Sequence, residues 1–102
     1  MDRHEDYWRS VYNVLIEECG APDTDSMWQQ FIAYMNHGAE ESFGWEFRFI
    51  GHLGFGGKFH RAPHRGHMRV SCYYEDETPK RRAMIDAANK RLIVLEESLP
   101  KE

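Results

Sequence analysis

The sequence predicts an α+β fold: two N-terminal helices, a three-stranded antiparallel sheet, and a C-terminal helix packed on one sheet face. Three observations carry this. Apolar residues recur at spacings of three and four over residues 5–37 and again over 79–99, the period of a helix with one buried stripe. Between residues 45 and 74 the period falls to two, as in a strand with one buried side. Three striped helices cannot all remain solvated, and the simplest cover for them is a shared sheet face.

The first helix is expected over residues 5–19, where Trp8, Val11, Tyr12, Leu15, Ile16 and Cys19 form one stripe and Gly20 supplies a left-handed stop. Ala21-Pro22-Asp23 reads as a turn. The second helix is expected from Asp25 to His37, capped by Thr24 or Asp25, with Met27, Trp28, Phe31, Ile32 and Met35 on its apolar side and Gly38 at its end. The short proline-containing link makes the two an antiparallel hairpin. Trp45, Phe47 and Phe49 alternate with Glu46, Arg48 and Ile50 as a first strand. The glycine-rich stretch 51–57 is a connection, and Lys58–Arg61 a second strand. Pro63-His64-Arg65-Gly66 is a turn, and Met68, Val70, Cys72 and Tyr74 mark a third strand in a meander. Thr78 caps the last helix with Pro79 in its first turn. Met84, Ala87, Ala88, Leu92, Leu95 and Leu99 form its stripe, Arg91 lays its stem along the core edge, and Pro100 ends it. The expected inner sheet face is Phe47, Phe49, Val70 and Cys72, set against Leu15, Phe31, Met84 and Leu95.

At 102 residues the chain suits one domain, 1–102, since two would each be too small to hold a core. Its 41% hydrophobic and 14% aromatic content argues against disorder. No apolar run approaches the length of a membrane span, and the charged MDRHEDYWRS start lacks the apolar core of a secretory signal. Cys19 and Cys72 are too few for a disulfide scaffold and read as buried thiols in a reducing cytosol. A cytoplasmic location follows as the expectation.

The net charge of −4 hides a polarised layout. Residues 1–47 hold two bases against ten acids, whereas residues 48–69 hold Arg48, Lys58, Arg61, Arg65 and Arg69 and no acid. The same basic segment carries His52, His60, His64 and His67. Such a field can steer a charged partner; the competing reading is that the two halves neutralise each other inside the monomer.

Gly54-Phe55-Gly56-Gly57-Lys58 invites a phosphate-loop reading and fails it. Position 52 is His where the first glycine should stand, and Phe59 follows the lysine where Ser or Thr should. The loop is then a glycine turn, with Phe55 either plugging the core or presented beside Lys58 to an anion or a protein groove. His60, His64 and His67 have zinc-compatible spacing, but arginines alternate with them and no Asp or Glu lies between residues 47 and 74 to orient them, so no metal site is expected. Phe55, Phe59, Tyr73 and Tyr74 within and beyond the basic hairpin suit base stacking, yet the acidic first half would repel a long polyanion. Cys72 falls on the inward strand phase, and no serine sits in a nucleophile motif. Glu75-Asp76-Glu77 stands before the last helix, where negative charge favours the helix start. No catalytic residue and no cofactor is therefore assigned.

The pieces GHLGFGGKF (51–59), VSCYYEDETP (70–79) and Arg82-Ala83-Met84-Ile85 resemble small proteins encoded by bacteriophages and by phage-derived regions of bacterial genomes, over about half the chain. That group has no established activity, so it supplies no catalytic residue. It implies an accessory protein acting inside a bacterial cell, and such proteins often bind host defence nucleases or transcription machinery. The expectation is a non-enzymatic protein that binds and modulates a bacterial macromolecule, with a bacterial protein as partner and a homodimer compatible with it. Arg48, Phe55, Lys58, His60, Arg61, His64, Arg65 and Arg69 are the candidate binding residues. In one form the acidic helices instead imitate phosphate charge and inhibit a host nucleic-acid-handling protein. The alternatives are a nucleic-acid-binding module using hairpin 48–69 and a small metal-binding enzyme using the histidines.

Overall fold

A computed structural model describes residues 4–38, 45–47, 57–62, 67–71 and 78–98. The class is α+β. Helix α1 runs Glu5–Cys19, α2 runs Asp25–Ala33, and α3 runs Pro79–Glu96; the strands are β1 Trp45–Phe47, β2 Gly57–Ala62 and β3 His67–Ser71. The strands pair antiparallel in the order β1-β2-β3.

Local chemistry sets the helix ends. α1 stops at Gly20, whose φ of 73° is the one positive φ among the described residues; the Gly20 amide donates to the Ile16 carbonyl and the Ala21 amide to that of Leu15. The Thr24 and Thr78 hydroxyls accept from the amides of Met27 and Arg81, at 3.2 and 3.1 Å, and so cap α2 and α3. The second helix differs from expectation in its last turn. The α-helix ends at Ala33, and Tyr34–Gly38 is one turn of wider π-helix that carries buried Tyr34 and Met35 to the core.

Register separates the two sides of the sheet. Trp45 stands opposite Phe59, and Phe59 opposite Val70, forming an apolar row across all three strands. Trp45, Phe59, Met68 and Val70 are buried with Trp8, Val11, Tyr12, Leu15, Phe31 and Leu92 in one core. Of the expected inner-face residues, Val70, Leu15 and Phe31 are buried and Met84 and Leu95 pack partly buried against them. Phe49, Cys72 and the Phe47 side chain lie outside the described residues.

α3 lies along the outer edge of β3. The Asn89 side chain accepts from the Val70 amide at 2.7 Å and donates to the Val70 carbonyl at 3.0 Å. Seven residues on, Glu96 accepts from the Met68 amide at 2.7 Å. These are the backbone groups that β3 turns away from β2, so a helix satisfies an edge that would otherwise invite another strand.

Candidate binding face

Strand alternation places every second residue of β2 and β3 on the side away from the core. Lys58 stands opposite Ser71, and His60 opposite Arg69. All four are half-buried, whereas Phe59, Met68 and Val70 between them are buried. The His60 Nε2 and Ser71 Oγ lie 3.0 Å apart, a diagonal hydrogen bond across the two strands. Three of the candidate binding residues, Lys58, His60 and Arg69, thus share one polar sheet face.

Their surroundings differ. The Arg69 guanidinium pairs with Glu96 and donates to the Met68 carbonyl at 2.6 Å. Arg69 therefore ties β3 to α3, and its charge is met within the chain. Arg61 stands opposite Met68 in the register. Arg48, Phe55, His64 and Arg65 lie outside the described residues, as do the Arg61 and His67 side chains, Tyr73, Tyr74 and Glu75–Glu77. Among the described residues no three His, Cys, Asp or Glu side chains come together to hold a metal ion.

The acidic helices are also partly neutralised from within. Arg91 pairs with Glu17 at 2.8 Å and Glu18 at 3.3 Å, and the Glu17 hydrogen bond holds its guanidinium above its ordinary pKa. Arg91 is exposed, and its head meets α1 carboxylates rather than water alone. Arg9 pairs with Asp23 at 3.0 Å while lying 5.1 Å from the Trp28 ring centre and 5.7 Å from that of Tyr12. No sequence pattern flagged this cluster, since its members come from three separate segments.

Two buried groups bear on reactivity. Burial, with a smaller push from Glu18, raises the Cys19 thiol to about 12, so it holds its proton and is a poor nucleophile. Burial raises the Tyr12 hydroxyl to about 12 as well, with the Asp23 charge adding to it, and that hydroxyl donates to the Pro22 carbonyl at 2.6 Å. Between α1 and α3 an open groove of about 390 Å³ is lined by Asn13, Val14, Glu17, Arg91, Val94 and Leu95, with Ser10 at its rim. Sequence periodicity could not show this groove, because it depends on how far apart two packed helices stand.

Among the described residues no helix is long and apolar enough to cross a membrane. No protein-family model, no curated protein and no solved structure matches the chain.

Proposed function

We propose that this chain is a small non-enzymatic binding protein whose partner is an acidic surface of a bacterial protein, contacted through the outer face of β2 and β3. The observation that carries the reading is the register. It gathers Lys58 and His60 on the polar side of a sheet whose other side is filled by Trp45, Phe59, Met68 and Val70. The reading takes the finer architecture as two N-terminal helices over one face of a three-stranded meander with α3 along its β3 edge, and assigns the partner to the opposite face. The bacterial setting and cytoplasmic location rest on the resemblance of residues 51–59 and 70–79 to phage-encoded accessory proteins. The acidic helices are the weaker contact surface, because Glu17, Glu18 and Asp23 already meet arginines of the same chain.

The test is capture from bacterial lysate by immobilised wild type and by Lys58→Glu, each at low and high salt. The proposal expects a protein retained by wild type at low salt, released at high salt, and lost in Lys58→Glu. The same proteins held equally by both baits would contradict it. A parallel titration with generic single- and double-stranded nucleic acid should show no binding tighter than about 10⁻⁴ M at physiological salt; a tighter, steeply salt-dependent affinity would favour a nucleic-acid module instead.

A further inference from the structure

The outward side of α3 carries a second ordered seam. Its core side presents Ile85, Ala88, Leu92 and Leu95, at spacings of three and four, to the interior. Its solvent side exposes Lys90, Ile93, Val94 and Glu97 over the last two turns. Val94 is 64% exposed and Ile93 beside it 44%, the large exposed apolar residues of the described chain. A helix that folds as a monomer needs one such seam, and a second one suits a helix partner.

The charges around that seam indicate which partner. Among the described residues Lys90 and Glu97 have no ion-pair partner, although Arg82 pairs with Asp86, Arg91 with Glu17 and Glu18, and Arg69 with Glu96. Lys90 and Glu97 stand equally far on either side of the Ile93–Val94 midpoint. A two-fold axis through that midpoint lays two copies of α3 antiparallel. It brings Val94 of each against the apolar centre of the other, and Lys90 of each beside Glu97 of the other. A patch that complements itself under a two-fold is what an isologous dimer requires. Val94 also walls the groove shared with Val14 and Leu95, so the apolar surface continues beyond the crest of the helix.

We infer that the α3 seam centred on Val94 is a homodimer interface in which two copies pair antiparallel, with reciprocal Lys90–Glu97 ion pairs. The seam lies on a helix and the proposed partner face on the strands, so each inference can fail without the other. One helix face buries little area, at or below the small end of specific interfaces, so the dimer is a weak, concentration-dependent one.

Sedimentation velocity of the full chain from about 5 to about 500 µM, the span in which such an interface dissociates, tests it. Wild type should pass from monomer to dimer. Val94→Glu should remain monomeric, with Val94→Ser as the milder variant and circular dichroism confirming the helix in both. Lys90→Glu and Glu97→Lys should each weaken association at least about tenfold, and the double exchange should restore it to within about threefold. The two positions are seven residues apart on one helix, too far to pair within the chain, so recovery reports a contact between chains. Wild type monomeric to the highest concentration, or Val94→Glu dimerising as wild type does, overturns the interface. A double exchange that restores nothing overturns the antiparallel pairing.

Discussion

Inside the core the Phe31 ring lies 4.9 Å from the Tyr12 ring, 5.4 Å from Trp45 and 5.3 Å from Phe59, centre to centre. One side chain of α2 thereby links α1 to two strands. Phe59 completes the link from below, fully buried and edge-on to Tyr34. Phe59→Ala should cost about 3–5 kcal/mol, the usual range for emptying a buried aromatic site, read from denaturant unfolding. A loss below about 1 kcal/mol would mean that the core forms without this row. The buried acids make a second prediction. Tyr12 and Cys19 both keep their protons to higher pH in the folded chain than in the unfolded one. Between about pH 9 and 12 the native state therefore binds more protons, and stability falls as pH rises through that window. Below about pH 8 these groups contribute almost no slope. Thermal unfolding from pH 8 to 11 should show Tm flat at first and then declining. Tyr12→Phe and Cys19→Ala, each losing its own titrating group, should flatten part of the decline.

At the scale of elements, α3 does more than cover the core. Asn89 occupies both the amide and the carbonyl of Val70, and Glu96 the amide of Met68. Asn89→Ala leaves two backbone groups at the sheet edge without their helix partner and should cost about 1–3 kcal/mol. Hydrogen exchange at the Val70 amide is the direct readout. Protection there should drop in the variant, and unchanged protection would show that the edge is held by other contacts. The helices themselves were legible in the sequence: α1 begins and ends where its stripe and Gly20 place it, and Thr24 and Thr78 cap as their hydroxyls suggest. The π-turn at Tyr34–Gly38 was not, since Tyr34 and Met35 fit the core side of an ordinary helix equally well. The edge contacts were not legible either. Asn89 and Glu96 look like solvated polar positions until α3 is placed beside β3, and that placement is a long-range fact no local period encodes.

For the whole molecule, charge is the property that sequence and structure divide between them. The sequence shows an acidic half and a basic segment. The structure shows that several of these charges meet within the chain, Arg69 with Glu96, Arg91 with Glu17 and Glu18, and Arg9 with Asp23. The candidate residues sort accordingly. Arg69 fastens an edge, while Lys58 and His60 share its sheet face with Ser71. Alternation was readable from residue types in β3, where Met68 and Val70 are buried on either side of Arg69, but not in β2, where Phe59 is buried rather than presented for stacking. The register that sets Lys58 against Ser71 and His60 against Arg69 was not readable either, because it depends on where β2 begins relative to the turn. The central claim is that this face contacts a protein partner. Its most direct test is the affinity of the captured partner for wild type and for Lys58→Ala/His60→Ala at two salt concentrations, with Tm measured alongside. The account predicts a Tm within a few degrees of wild type, as expected for half-exposed side chains, and an affinity at least about tenfold weaker with a shallower salt dependence. Unchanged affinity and salt dependence at unchanged Tm would contradict it and remove the outer sheet face as the contact surface.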